Sequence, residues 1–365
     1  MNKTNVGFFS GDITRSGGTE RVAILIAEKL NLDNKYNISF ISLTERKEKP
    51  FYSISDSIKR YTLSDKEIKG AKNLVAYTRQ LKKIVKKNKI DVLIDIDGII
   101  DLYAVPVKWM TGVKIISWEH FNIYNHPKIK LRNRVRKIAV KNVNAIVTLT
   151  EQDKEYYQKE LSFKCPICAI HNPKTYIDTE NEEYKKESKT IISVGRLTYQ
   201  KGFDRLVQVA DNVLKKYPEW QWKVFGEGED QQMLQDMIKE RSLEKNVKLM
   251  GNVDDISQEY HNSAMFVMTS RFEGLPMTLL EAKCHKLPCI SFDIKTGPRE
   301  CIIDGVNGYL IPDGNIEEMS IKIEELIRDD EKRIDFSKHA QDNMDDFDIE
   351  TIVPKWKELI NIIAD

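Results

Sequence analysis

The chain has 365 residues, 41% hydrophobic and 31% charged, with 57 Lys+Arg against 56 Asp+Glu for a net charge of +1. That length exceeds one ordinary core and predicts two domains, while the apolar content excludes wholesale disorder. No run reaches the roughly 18 apolar residues of a membrane-spanning helix, and five cysteines, an odd number, read as reduced thiols rather than a disulfide framework.

The N-terminus enters a strand-like stretch at 6–9 without a secretory apolar region, which predicts a cytoplasmic protein. Further strands are predicted at 38–43, 92–96, 114–118, 145–149, 190–194, 222–225, 247–250, 265–268, 288–292 and 308–311. Helical spacing fills the intervals, as in 20–30, where Val22, Leu25, Ile26 and Leu30 recur on one face. Strands apolar on both faces, alternating with helices, imply an α/β fold of parallel sheets covered by helices. The break between two such blocks falls near His171-Asn172-Pro173-Lys174, ahead of a polar stretch at 176–189 with linker composition. The expected units are therefore 1–171, 172–345 and a terminal helical segment, 346–365. Ile352, Val353, Trp356, Leu359, Ile360 and Ile363 form a broad apolar stripe on that segment. It must dock, either closing the second domain or crossing back to the first.

Charge is unevenly divided. Residues 1–172 carry 31 Lys+Arg against 18 Asp+Glu, and the remainder carries 26 against 38. Lys128, Lys130, Arg132, Arg134, Arg136, Lys137 and Lys141 crowd one helical segment, whose expected apolar stripe is Leu131, Val135 and Ile138. Lys72, Arg79, Lys82, Lys83, Lys86, Lys87 and Lys89 form a second cluster. Two readings stand: solvated helix faces, or a platform for anionic lipid headgroups that would make the protein peripheral on the inner face of the cell membrane. Nucleic acid is disfavoured, since neither cluster carries stacking aromatics or a recognised module.

The chemistry-bearing stretches lie at predicted strand ends. Phe272-Glu273-Gly274-Leu275-Pro276-Met277-Thr278-Leu279-Leu280-Glu281 leaves one strand and opens a helix, with Pro276 suited to the first helical position. Backbone N–H groups at such a helix start form an anion site. Glu281, a turn further on, can accept from vicinal hydroxyls, and Glu273 can reach another part of the same ligand. Ser193-Val194-Gly195-Arg196-Leu197-Thr198-Tyr199-Gln200-Lys201-Gly202 presents two cations after another strand, which suits a diphosphate. Ser16-Gly17-Gly18-Thr19-Glu20 lets a backbone approach a ligand closely, with Thr19 as a helix cap. Asp95-Ile96-Asp97 has the spacing of a metal clamp but reads better as a loop cap, and no metal site is expected. Cys165 and Cys168, with His171 beyond, find no fourth ligand at zinc spacing.

Taken in order, Gly17-Gly18, Gly195-Arg196 with Lys201-Gly202, Gly226-Glu227-Gly228, Gly251-Asn252-Val253 and the Glu273/Glu281 pair resemble the retaining GT-B glycosyltransferases of family 4. Gly297-Pro298-Arg299-Glu300 and Asp304-Gly305 with Asn307-Gly308-Tyr309-Leu310 extend the likeness. The resemblance is dense over 190–315 and thinner over 1–125. It implies two Rossmann-like domains facing each other across a nucleotide-sugar cleft. It also implies that Arg196 and Lys201 grip the donor diphosphate, Glu281 the ribose and Glu273 the donor sugar. Gly274 and the amides of Leu275, Pro276, Met277 and Thr278 then line the phosphate and sugar, Asn252 and Val253 the base, and Gly17, Gly18, Gly195 and Gly226 give the backbone room. Glu119-His120, after the strand at 114–118, resembles the position of a histidine set against the donor sugar.

The implied activity is transfer of a hexosyl or N-acetylhexosaminyl group from a nucleotide-sugar, of UDP type, to a lipid-linked or polymeric glycan, with retention and no required cofactor. Two alternatives stand beside it: a GT-B-like sugar-nucleotide epimerase or phosphorylase, and a non-catalytic partner subunit of the same fold.

Overall fold

The computed structural model describes residues 3–67, 72–124, 130–175, 183–253 and 255–365. Among them two all-parallel sheets form, one in each of two compact units. The first unit comprises Met1–Pro173 with Asp346–Asp365, and the second Lys174–Asp345. The predicted linker residues 176–182 lie outside the described residues.

The first sheet holds β1 (Thr4–Ser10), β2 (Tyr36–Ser42), β3 (Lys59–Thr62), β4 (Val92–Ile96), β5 (Lys114–Trp118), β6 (Ala145–Thr148) and β7 (Ile167–Ala169), in the order β3-β2-β1-β4-β5-β6-β7. β4 is buried throughout, as expected of a parallel strand with helices on both faces. β3 and β7 escape the sequence reading because both are short edge strands, β3 being polar and β7 only three residues long. The core behind the sheet joins Phe9, Ile41, Leu93 and Ile115 to helix residues such as Leu81, Ala104 and Val140.

The second sheet holds β8 (Thr190–Val194), β9 (Gln221–Phe225), β10 (Val247–Gly251), β11 (Met265–Met268), β12 (Cys289–Asp293) and β13 (Gly308–Pro312), in the order β10-β9-β8-β11-β12-β13. Both sheets start in the middle, run outward and then reverse, at β1/β4 in one and β8/β11 in the other. In such sheets ligands bind beyond the carboxyl ends of the strands at the point of reversal.

The terminal helix Ile349–Ala364 packs in the first unit. Trp356 is fully buried, edge-on to Trp118 with ring centroids 4.8 Å apart. Lys357 pairs with Asp33 at 2.8 Å, Glu350 with Lys29 at 2.7 Å, and Tyr36 donates to Asn361 at 2.9 Å.

Candidate active site

In the second unit the predicted stretches fall at the reversal point. The 195–197 segment follows β8, and Glu273 follows β11. Three loops are stitched by main-chain bonds there. Gly195 N–H donates to Phe225 O, Leu197 N–H to Glu227 O, and Gly226 N–H to Gly251 O, at 2.8–3.0 Å. The seam requires glycine at 226: its φ is +130°, and a Cβ would meet the Gly195 carbonyl oxygen at 2.0 Å. A Cβ at Gly202, whose φ is +64°, would likewise meet the Thr269 carbonyl oxygen at 2.3 Å, and the close approach brings the Lys201 turn against the end of β11.

That approach joins Lys201 to Glu273. Lys201 Nζ donates to Glu273 Oε1 at 2.7 Å, Ser270 Oγ donates to the same oxygen at 2.7 Å, and Gln200 Nε2 lies 3.4 Å from Oε2. Thr296 Oγ1 donates to the Glu273 carbonyl at 2.7 Å. Glu273 is buried, while Arg196 is exposed and makes no ion pair among the described residues. Arg271 ties both loops together: it forks onto Asp204 at 2.7 and 2.5 Å, and its guanidinium carbon lies 4.1 Å from the centre of the Tyr199 ring.

The helix Met277–Cys284 begins one residue later than expected, with Pro276 as its cap residue rather than its first turn. Its start places the main chain of Met277 and Thr278 at the strand end, with Glu281 further along. The fully buried Tyr260 donates to Glu281 Oε2 at 3.2 Å, and Thr175 Oγ1 lies 3.4 Å from Oε1. Gly297, at φ +104°, packs on Pro276 and the Gly274 carbonyl. Asn252 and Val253 are exposed after β10. The sequence reading names Gln200 only within its stretch, and it does not include Ser270 or Tyr260. The cue to Ser270 was its place between strand and glutamate; Tyr260 carried no cue.

In the first unit Gly17, and not Thr19, is the cap residue of the helix Gly18–Asn31, with no side-chain cap hydrogen bond among the described residues. A Cβ at Gly17 would meet Glu20 at 2.2 Å, and Glu20 is paired with Arg15. His120 lies just beyond β5 with its ring centroid 4.5 Å from that of Trp118. Burial pushes its imidazole down to about 3, against the opposing pull of Glu119, so the ring is neutral. Its Nε2 is buried without a hydrogen-bond partner among the described residues. Asp97 caps the turn Gly98–Ile100 through Ile99 N–H and is held by Arg132, whereas Asp95 is buried beside Asp101. No cluster of three or more His, Cys, Asp or Glu suited to a metal occurs among the described residues. Burial pushes the Cys165 and Cys168 thiols up to about 11.

The basic segment needs correction. In the helix Lys130–Asn142 the buried face is Arg132, Val135, Arg136, Ala139 and Val140, while Leu131 and Ile138 of the expected apolar stripe are 52% and 45% exposed. Arg132 and Arg136 therefore cannot serve a surface platform. They turn inward because two carboxylates, the half-buried Asp97 and the buried Glu119, wait there to be neutralised. Arg134, Lys137 and Lys141 remain exposed. Lys128 and the side chains of Lys130 and Lys72 lie outside the described residues.

Comparison with known proteins agrees with this architecture. Residues 16–174 match the family model "Glycosyltransferase Family 4", and 177–343 match "Glycosyl transferases group 1". An uncharacterized glycosyltransferase of Haemophilus influenzae is 33% identical over 97% of this chain and 99% of its own. The amylovoran biosynthesis glycosyltransferase AmsD of Erwinia amylovora is 30% identical over 96% of this chain and 97% of its own. A variant of TarM from S. aureus superposes with a TM-score of 0.82 at 18% identity, covering 99% of this chain and 100% of that one. With both halves matched in order and both sheets reversing where the motifs fall, the chain belongs to the GT-B glycosyltransferases of family 4.

Proposed function

We propose that this glycosyltransferase moves a hexosyl or N-acetylhexosaminyl group from a UDP-sugar to a lipid-linked or polymeric glycan, with retention at the anomeric carbon. The observation that carries the reading is the convergence of Lys201, Glu273 and the start of the helix bearing Glu281 on one sheet-reversal point. The TarM variant contains UDP and α-GlcNAc-glycerol, and AmsD serves amylovoran biosynthesis, which favours this donor and acceptor class.

Each role follows from charge and geometry. As the bond from C1 to the diphosphate oxygen breaks, negative charge grows on UDP. Arg196, Lys201 and the helix start around Met277 and Thr278 are cationic or donor groups suited to receive it. Glu273, held by Ser270 and Lys201, accepts from hydroxyls of the sugar. Glu281, steadied by Tyr260, accepts from the ribose hydroxyls. Asn252 and Val253 offer main chain to the base, and neutral His120 bonds to the donor sugar. The acceptor hydroxyl forms the new bond to C1 on the face UDP leaves, and its proton passes to the departing phosphate oxygen. With cations and amides carrying the diphosphate, the reaction needs no metal.

A membrane role stands beside this on a narrower surface than the sequence indicated. Leu131 and Ile138 are exposed among Arg134, Lys137 and Lys141, and Trp109 is 67% exposed on the preceding helix, Asp101–Thr111. Apolar tips among cations suit an anionic bilayer surface.

The test of the donor reading is turnover on a panel of UDP-, GDP- and ADP-sugars, scored as nucleotide release with and without a glycan acceptor. Release from a UDP-sugar that rises with acceptor is expected. Acceptor-independent conversion of the sugar would favour an epimerase and contradict the reading.

A further inference from the structure

The helix Lys130–Asn142 presents two inward arginines one turn apart. Arg136, 2% exposed, gives its whole guanidinium to the loop after β5. Nε and Nη2 donate to the two Glu119 oxygens at 3.1 and 3.2 Å, and Nη1 donates to the Ile123 carbonyl at 2.9 Å. Nη2 also reaches the carbonyls of Phe121 and Asn122 at 3.2 and 3.3 Å. Arg132 forks onto Asp97 at 2.6 and 2.9 Å, on the adjoining loop after β4. The two loops meet where Glu119 presses on Gly98, at which a Cβ would come 2.2 Å from Oε1. Asp153 completes the frame by accepting from Ile123 N–H at 2.9 Å.

These bonds fix the residue before His120 and the three after it. His120 itself is 6% exposed, and its Nε2 has no hydrogen-bond partner among the described residues. A buried polar nitrogen is costly to leave unbonded, so an arriving ligand atom that bonds to it is favoured.

We infer that Arg136 is a positioning residue of the glycosyl transfer: by clamping the 119–123 loop it holds His120 for a hydroxyl of the donor sugar. This rests on the UDP-sugar reading above. Lysine at 136 could neutralise Glu119 as a point charge, but it lacks the planar fork that serves the three carbonyls. Displacing a substrate-positioning group by an ångström is enough to slow a reaction by about 100-fold.

The experiment is a double-variant cycle of Arg136→Lys and His120→Ala, read as UDP release from the UDP-sugar the wild type uses among UDP-Glc, UDP-Gal, UDP-GlcNAc and UDP-GalNAc. UDP affinity is titrated alongside. Expected are unchanged UDP affinity, a fall in kcat of about 10- to 100-fold for Arg136→Lys, and a double variant no slower than His120→Ala alone. Additive losses, or a folded Arg136→Lys with wild-type kcat, overturn the proposal. Should Arg136→Lys not fold, Arg136→Met with Glu119→Gln replaces it, since that pair leaves no lone buried charge. Failure of both to fold assigns Arg136 to the fold alone and also overturns it. A wild type that binds no UDP and releases none refutes the donor reading, and this proposal with it.

Discussion

Lys201 and Glu273 neutralise each other at 2.7 Å, so on the proposed reading a donor diphosphate would share Lys201 with a carboxylate already holding it. Arg196 carries no such commitment among the described residues, and the two cations should contribute differently. Arg196→Ala removes a donor aimed at developing charge and should lower turnover by about 100-fold or more. Lys201→Ala should lose at least as much, because it also removes the Lys201 ion pair from the buried Glu273. Wild-type kcat in both folded variants would remove the diphosphate assignment. A second residue-scale effect concerns Asp95 and Asp101. Burial, with Asp101 beside it, raises the Asp95 carboxyl well above its ordinary range. Burial pushes Asp101 up to about 7, against hydrogen bonds from Asp95 and Ser117. The unfolded chain releases such protons near 3.8. Between those values the folded state binds more protons, so this contribution to stability is present at low pH and lost as pH rises through about 7. Asp95→Asn gives Asp101 a permanent N–H donor, and it should raise the melting temperature more at pH 8 than at pH 5. Equal shifts at the two pH values would contradict the shared-proton account. Linear motifs carried Lys201, Glu273 and Glu281 into view, because strand ends and glycines announce themselves along the chain. Ser270, Tyr260 and Arg136 act through contacts that only folding creates.

At the scale of elements, the helix Lys130–Asn142 shows how a correct periodicity can select the wrong face. Leu131, Val135 and Ile138 recur at helical spacing, yet of the three only Val135 is buried, with Arg132 and Arg136 inside in place of Leu131 and Ile138. Hydrophobic pattern counts apolar atoms and takes no account of carboxylates waiting on another loop. The central strands were legible for the converse reason: burial on both faces leaves apolar runs such as β4, and polar edges such as β3 leave none. The inward turn of these arginines also decides which side chains can test the membrane role. Charge reversal at Arg132 or Arg136 would break buried pairs, so Arg134, Lys137 and Lys141→Glu is the informative set. The wild type should sediment with phosphatidylglycerol vesicles at low salt and be released by high salt. The triple variant should lose that binding while keeping its affinity for UDP. Indifference of the wild type to anionic vesicles would leave these residues as a solvated face.

At the scale of the whole molecule, the chain closes its first unit with its last helix, so residues 346–365 and the N-terminal sheet form one core. Trp356 is the joint: fully buried, packed edge-on to Trp118, and flanked by the Lys357–Asp33 and Lys29–Glu350 pairs. The amphipathic stripe was visible in the sequence, but its choice of partner was not, since a stripe specifies a depth of burial and not an address. Trp356→Ala should destabilise the first unit by about 3–5 kcal/mol through the cavity it leaves. Hydrogen exchange would read this as lost protection in β1, β4 and β5, with the second unit's strands unchanged. Equal loss in both units, or none, would contradict the division.

The central claim, that the second unit binds UDP through Lys201 and Glu281, is tested most directly by calorimetric titration of UDP into the wild type and into Glu281→Ala. The account predicts saturable one-site binding by the wild type and a loss of about tenfold or more in Glu281→Ala, the scale of a hydrogen bond to a charged group. No binding by the wild type, or the same affinity in both proteins, would contradict it.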